Sequence, residues 1–375
     1  MKVAIVTKYF PPIKGGIESH CYNLAKELIK RNVYVEVHTS HLSNFSVFEI
    51  IDDIKVFRHK HFWLFSPNKQ YDIIHLHNFN IFPHIIILAK IFLNRLFERK
   101  ATKTFVVLTP HGGYVPWWKG FKSHKRVIKK ILHKTLGKFL LNKVVDKIIA
   151  LTEDEYEQLI KEGISRKKIV IIPNGVEEEA FTYPKTTCSE LEKYQPYLLF
   201  LGRIDPRKNM EFVIKNLNLI DEILFLIAGP CQDSIYYNYL SNLISKLGLR
   251  NRVLFLGEVE KKLKYKLIDC ALAVCLISHM ETEPIIIKES IVRGTPVIIS
   301  NKIKLPYTMF KTCRKMIFIV SNDEDFLSAV KSLLERKEIV GRCAEIDEEI
   351  ENWRWSNITG KIKFVYEGIL NEGKY

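Results

Sequence analysis

The sequence predicts an α/β protein of two doubly wound domains, each a parallel sheet flanked by helices. Short apolar, β-branched runs alternate with helical patterns along the whole chain, which marks β/α units around a parallel sheet. The 375 residues exceed what one core usually supports, so two domains of roughly 150–200 residues are expected. A polar stretch from Glu177 to Gln195 divides the apolar runs into two sets.

The first set begins with the buried strand Val3–Val6, and Gly15-Gly16-Ile17-Glu18 then opens a helix that runs to about Lys30. Val33–His38, Asp72–His77, Val106–Thr109, Lys147–Thr152 and Ile169–Pro173 read as further strands. Asn174-Gly175 signals a turn before the polar divide. The second set holds strands at Tyr197–Leu201, Ile223–Ala228, Val253–Leu256, Leu272–Leu276, Thr295–Ser300 and Met316–Val320. Helices alternate with them near Lys208–Leu217, Tyr236–Leu247, Leu263–Asp269, Ile286–Arg293 and Asp323–Arg336. Near the C-terminus, Trp355, Ile358, Ile362, Val365 and Ile369 keep the spacing of one helix face within Trp353–Leu370.

With 47% hydrophobic and 26% charged residues the chain is an ordinary globular one and not a disordered one. The seven cysteines include no C-x-x-C, and buried free thiols in a reducing compartment are expected in preference to disulfides or a zinc site. Lys2–Val6 is too short for the apolar core of a signal peptide. No run approaches the roughly 20 apolar residues of a membrane span. The net charge of +15 argues for an anionic partner: nucleotide, phosphate, nucleic acid or acidic lipid. No helix-turn-helix, zinc-finger or RRM signature accompanies it, so nucleic acid is not expected.

The segment that speaks most directly of chemistry is Glu281-Thr282-Glu283-Pro284-Ile285-Ile286-Ile287-Lys288-Glu289, followed by Arg293-Gly294-Thr295-Pro296. A carboxylate at a strand end and another on the following helix can reach the two ends of one elongated ligand. The helix N-terminus between them offers N–H groups and a positive dipole to phosphates. Solvated helix charges are the plainer reading of Glu281 and Glu289, but Pro284 between them implies a set turn. Leu201-Gly202-Arg203-Ile204-Asp205-Pro206-Arg207-Lys208 places cations at a strand C-terminus, where ligands of open α/β sheets bind. Gly15-Gly16 lets a phosphate or sugar approach the backbone, although no dinucleotide fingerprint is present. His111, in Thr109-Pro110-His111-Gly112-Gly113, ends another strand and suits a sugar hydroxyl or developing charge. His75 and His77 are expected to point to opposite faces of their strand; lining a ligand cleft is open to His77 and Asn78, and structural roles are the favoured reading. Finally, 117–147 carries ten lysines and arginines against Asp146. Phe121, Ile128, Ile131, Leu132, Thr135, Phe139 and Val144 or Val145 recur within it at a helical period, with Trp117 and Trp118 at its lip. A cationic amphipathic helix of this kind suits an anionic membrane surface, and a core-packed helix with a solvated outer face is the alternative.

Taken in order, these segments resemble the retaining GT-B glycosyltransferases of family 4, across nearly the whole chain. The pieces that carry the resemblance are Tyr9-Phe10-Pro11-Pro12 with Gly15–Glu18, Asp72–Asn78, Thr109–Gly113, Val170–Val176, Phe200–Asn209, Ile227–Gly229, Leu254–Gly257 and Glu281–Glu289. The resemblance implies two Rossmann-like domains facing across a cleft: residues 1–180 for the acceptor and 195–354 for the nucleotide sugar, with 355–375 crossing back to the first. It implies a hexosyltransferase-type enzyme using a UDP- or GDP-sugar, with no cofactor and no metal required. Gly15, Gly16, Arg203, Lys208, Ile285 and Glu289 would bind the donor, Glu289 through the ribose. His111, Glu281, Arg203 and Lys208 would serve catalysis, His111 near the transferred sugar and Glu281 on its hydroxyls. The acceptor would be a glycan or a polyprenyl- or other lipid-linked one. The chain would be cytoplasmic, lying peripherally on the inner face of the cell membrane through 117–147. The family usually reads Glu-Gly-Phe-Gly where this chain has Glu281-Thr282-Glu283-Pro284. Glu283 thereby adds a third carboxylate near the phosphates, and Pro284 has no N–H to offer. That departure keeps a non-catalytic nucleotide-sugar-binding or partner protein of the same fold as the alternative.

Overall fold

The computed structural model describes residues 1–62, 65, 71–79, 81–97, 104–112, 127, 130–131, 133–185, 187–221, 223–306, 309, 311, 313–335 and 348–372. It divides into two compact units, Met1–Gly175 with Trp355–Tyr375, and Val176–Arg354. The second unit thus begins before the polar stretch, whose described residues include a short helix, α5 (Glu178–Thr182), and a 3-10 segment at Cys188–Tyr194.

The first unit is built on an eight-stranded sheet in the order β3-β4-β2-β1-β5-β6-β7-β8. Its strands are β1 (Lys2–Val6), β2 (Tyr34–Ser40), β3 (Phe48–Ile51), β4 (Ile54–His59), β5 (Ile73–His77), β6 (Phe105–Thr109), β7 (Lys147–Ala150) and β8 (Ile169–Ile171). Every pairing is parallel except β3 with β4. That hairpin turns at Asp52-Asp53, both in the left-handed region at φ 47 and 66, as a two-residue turn between twisted strands requires. Residues buried on both faces, such as Val3–Val6 and Ile73–His77, explain why these strands read as continuous apolar runs. The helices are α1 (Gly16–Lys30), α2 (Ile81–Phe97), α3 (Lys138–Val144) and α4 (Glu153–Lys161). The C-terminal helix α12 (Trp355–Glu372) packs on α1 and buries Trp355, Ile358, Ile362, Tyr366 and Ile369 in this unit's core.

The second unit carries a six-stranded parallel sheet in the order β11-β10-β9-β12-β13-β14. The strands are β9 (Tyr197–Leu201), β10 (Leu224–Ala228), β11 (Val253–Gly257), β12 (Ala273–Leu276), β13 (Val297–Ser300) and β14 (Ile317–Val320). Between them lie α6 (Met210–Leu217), α7 (Ser234–Lys246), α8 (Lys261–Cys270), α9 (Ile285–Arg293) and α10 (Asp323–Leu334), with α11 (Glu348–Glu351) near the end. Helices α6 to α10 each sit close to a helix that the sequence predicts, and α11 is not among those predicted.

Two expectations fail here. Cys188 and Cys270 form a disulfide that ties the 3-10 segment to the end of α8, so these cysteines are not free thiols. Their separation of 82 residues conceals the pairing from a reading of nearby spacings. Cys21, Cys275 and Cys313 are buried and free, and Cys231 is exposed and free. In the basic segment, most of 113–132, Trp117 and Trp118 included, lies outside the described residues. Within them the periodic set is only partly the buried one, since its Val144 and Val145 are buried and its Ile131, Thr135 and Phe139 are not. Leu140, Leu141, Val144 and Val145 are buried, whereas Ile131 and Phe139 are exposed, and Lys147 already begins β7.

Candidate active site

Both sheets have a point where successive strands leave on opposite sides, and ligands of open α/β sheets bind beyond the strand C-termini at such points. In the second unit it lies between β9 and β12. The loop after β9 carries Arg203 and Lys208, and the loop after β12 carries Glu281. Lys208 Nζ lies 2.5 Å from Glu281 Oε1, both side chains being mostly buried. The His279 N–H donates to the Arg207 carbonyl at 2.8 Å, which joins the two loops. Arg207 turns back onto Asp205, its Nη2 3.1 Å from Oδ2, and this pairing holds the Asp205 carboxyl below its ordinary range against the opposing effect of burial. Arg203 makes no ion pair among the described residues. The backbone is tight here: a Cβ on Gly229, at φ +143, would fall 1.9 Å from the Gly202 carbonyl oxygen.

Helix α9 begins in the same region. Pro284 is its N-cap and no side chain caps it, so the Ile285 and Ile286 N–H groups have no intrahelical partner, while that of Ile287 donates to the Pro284 carbonyl at 3.2 Å. Glu289, a turn further on, is buried and meets Lys264 Nζ at 2.7 Å and the Tyr265 hydroxyl at 3.3 Å, both through Oε1. Both partners come from α8, and the sequence reading missed them. Glu283, expected to add charge near the phosphates, is instead buried in an ion pair with Lys288. Lys288 Nζ also lies 5.8 Å from the centre of the Trp353 ring. The departure at 282–284 therefore brings its own counter-charge.

In the first unit the corresponding point lies between β1 and β5. Gly15 and Gly16 form the start of α1 after β1, and a Cβ built on Gly16 meets nothing within 4 Å. His77 ends β5, and His111 follows β6 with φ 51, in the left-handed region that a non-glycine residue seldom adopts. Glu155 of α4 accepts the Gly112 N–H at 2.6 Å and the Leu151 N–H at 2.8 Å, and so fixes the turn that presents His111. His77 Nδ1 and His111 Nε2 are 3.1 Å apart. His20, one turn into α1, stands edge-on to His111 with ring centroids 4.6 Å apart. His20 Nδ1 donates to Asn174 Oδ1 at 2.7 Å, so the residue predicted as part of a turn is a buried hydrogen-bond partner. Trp355 packs against Gly175, where a Cβ would lie 2.5 Å from the ring.

His75 and His77 do not point to opposite faces. Their ring centroids are 4.0 Å apart, because residues two apart on a strand share a face. His75 has a structural role, 2.6 Å from the Tyr366 hydroxyl of α12 and 2.8 Å from Thr109 Oγ1. Burial holds His20, His75, His77 and His111 well below the ordinary histidine range, so all are neutral near pH 7. Neighbouring imidazoles reinforce this at His75, His77 and His111. His111 is thus suited to hydrogen bonding with hydroxyls and not to pairing with an anion. Among the described residues, His20, His77 and His111 are the one group arranged to hold a metal ion.

Two family models match the chain: Glycosyltransferase Family 4 over residues 14–180, and Glycosyl transferases group 1 over residues 188–352. A protein of Methanocaldococcus jannaschii described as an uncharacterized glycosyltransferase is 25% identical over 398 residues, covering 98% of this chain and 98% of that protein. The Escherichia coli UDP-Gal:alpha-D-GlcNAc-diphosphoundecaprenol alpha-1,3-galactosyltransferase is 29% identical over 252 residues, 62% of this chain and 58% of that protein. Among solved structures, sucrose-phosphate synthase from Thermosynechococcus elongatus is similar in fold at TM-score 0.78 and 16% identity, with 99% of each chain covered. Anabaena HepE, solved with UDP and glucose, is similar at TM-score 0.74 and 16% identity, covering 98% of this chain and 100% of that one.

Proposed function

This chain belongs to the glycosyltransferases of GT-B fold, its first unit of family 4 and its second of group 1, and from that premise we propose that it transfers a sugar, with retention, from a UDP- or GDP-sugar to a glycan or lipid-linked acceptor at a membrane surface. The observation that carries the donor half is the Lys208–Glu281 pair at the β9/β12 switch, flanked by Arg203 and the uncapped start of α9. Two cations and a helix N-terminus suit a diphosphate without a metal ion. Glu281, released from Lys208 as the phosphates arrive, takes sugar hydroxyls. Glu289, oriented by Lys264 and Tyr265 through one oxygen, offers the other to the ribose. Uracil is the favoured base, because the E. coli relative is named for UDP-Gal and HepE was solved with UDP.

In this reading the bond from the anomeric carbon to the diphosphate oxygen breaks. The acceptor oxygen bonds the same face of that carbon, and its proton passes to the leaving phosphate. No protein nucleophile takes part. Arg203 and Lys208 stabilise the charge that develops on the leaving group. His111 holds a hydroxyl of the moving sugar.

The acceptor half rests on the exposed apolar side chains Leu93, Leu96, Ile131, Leu136 and Phe139, set among exposed Lys130, Lys134, Lys138 and Lys143. Helix α2 packs on α3, with Phe92 and Phe139 ring centroids 5.4 Å apart, so Phe139 stands beside α2. Exposed apolar side chains interspersed with exposed lysines suit an anionic bilayer, and the E. coli relative is named for a diphosphoundecaprenol acceptor.

Thermal shift with UDP, GDP, ADP and their sugars tests the donor reading. A ligand at about 100 times its Kd stabilises by roughly 2.7 kcal/mol. We expect one base to stabilise the chain and Glu289→Ala to abolish the effect. Stabilisation by no nucleotide would sink this reading in favour of a non-catalytic partner protein.

A further inference from the structure

We propose that His20, His77 and His111 form a site for a borderline transition-metal cation, of the Zn²⁺, Co²⁺ or Ni²⁺ class, and that filling it withdraws His111 from the sugar. One ring nitrogen from each of the three lies within 4.8 Å of the other two. Four-coordinate zinc with bonds of 2.0–2.1 Å places its ligand nitrogens roughly 3.4 Å apart. His77 Nδ1 and His111 Nε2, at 3.1 Å, already have about that separation. Side-chain movements that bring the nitrogens at most about 1.4 Å closer, from 4.8 Å to roughly 3.4 Å, close the rest.

The second observation is the state of His20. Its Nδ1 faces the amide oxygen of Asn174, which can only accept, so Nδ1 carries the proton and Nε2 the lone pair. That Nε2 is buried and has no hydrogen-bond partner, in a cluster where two other imidazoles stand within 4.6 and 5.1 Å between ring centroids. A metal-binding histidine characteristically donates its other ring N–H to an oxygen of this kind, which sets its tautomer and aim. Asn174 therefore plays the outer-shell part. His111 is half-buried while the other two are buried, which leaves the fourth coordination position on its side for water. Three imidazoles and no carboxylate select zinc, cobalt, nickel or copper over magnesium or calcium.

The binding clause stands on this geometry alone, and the withdrawal of His111 rests on the proposed transfer. The experiment is titration of tag-free, chelator-treated full-length chain with Co²⁺, read by its visible d–d absorption, then with Zn²⁺, and with Mg²⁺ in parallel. We expect saturation at one equivalent, displacement of the cobalt band by Zn²⁺ and no response to Mg²⁺. Asn174→Ala should weaken binding by about 10–100-fold, as loss of outer-shell partners does. His111→Ala, at a half-buried loop position, should abolish the band while circular dichroism stays unchanged. Absence of a saturable band, or a band that survives His111→Ala, would overturn the site. In the transfer assay, one equivalent of Zn²⁺ should suppress turnover and chelator restore it. Binding without suppression overturns the withdrawal clause alone, and absence of transfer in the metal-free chain counts against the proposed function instead.

Discussion

Lys208 sits where a strand end, a 3-10 turn and a facing carboxylate converge, and the Asp205 side chain caps that turn from its N-terminus. Its pairing with Glu281 at 2.5 Å keeps both charges compensated before a diphosphate arrives. Replacing a preorganised donor that meets developing charge costs about 10²–10³ in turnover. We therefore expect Lys208→Ala to lower kcat by that factor when measured on fully folded protein, whatever the unpaired Glu281 costs in melting temperature, and Lys208→Arg to recover part of it. A variant with wild-type single-turnover rates would remove Lys208 from the chemistry. The positions of Arg203, Lys208, His111 and Glu281 beyond strand ends, and of Glu289 on the following helix, were legible in the sequence, because glycine, proline and charge after an apolar run mark the loops of an open sheet. Lys264 and Tyr265 were not, since they lie 25 and 24 residues from Glu289 and nothing local in α8 distinguishes them. His20 and Asn174, 154 residues apart, are joined only by the fold.

Helix α9 shows a local departure and its remedy within one element. The family's apolar aromatic position is Glu283 here, and Lys288, five residues on, neutralises it inside the unit. Removing one partner of a buried pair costs about 3–5 kcal/mol, whereas replacing both by apolar groups is often neutral. Lys288→Leu alone should lower the denaturation midpoint of the second unit sharply, and Glu283→Phe combined with Lys288→Leu should restore it in urea titrations. A single variant as stable as wild type would show the pair to be incidental. The hairpin β3–β4 escaped the sequence reading because Asp52-Asp53 is a weaker turn signal than Asn-Gly, although both residues take left-handed angles. The basic segment was legible in charge and not in orientation. There Leu140, Leu141 and Val144 face the core, while Phe139 and Ile131 remain outside. Those outward side chains lead us to expect flotation with anionic liposomes, weakened by salt and by the pair Leu96→Ser and Phe139→Ser. Failure to float at low salt would end the membrane reading.

Across the whole chain, buried neutral histidines dominate the expected response to acid. His20 is lowered by burial from 6.5 to about 4, and His38 to about 3 by burial and then by His59. His75, His77 and His111 lie well below 6.5 for the same first reason. A depressed histidine binds its proton more readily when unfolded, so stability is fully present above the unfolded value near 6.5 and falls as pH drops toward the folded value. Each of the five should cost the fold on the order of 1 kcal/mol between pH 6.5 and 5.5. Urea melts across that window should show a steep loss of stability in the first unit, and a flat profile would contradict the burial of these rings. All five belong to the first unit, so the second should respond less. Alternation of apolar runs with helical patterns settled the fold class, the position of most strands along the chain and the loops that carry charge, because period and turn chemistry are local properties of the chain. Tertiary structure alone decided that Cys188 meets Cys270, that Lys288 answers Glu283, that α12 docks through Tyr366 onto His75, and that three imidazoles face one another. Those pairings depend on which strand ends the sheet order brings together, and sheet order is written in no single stretch of sequence.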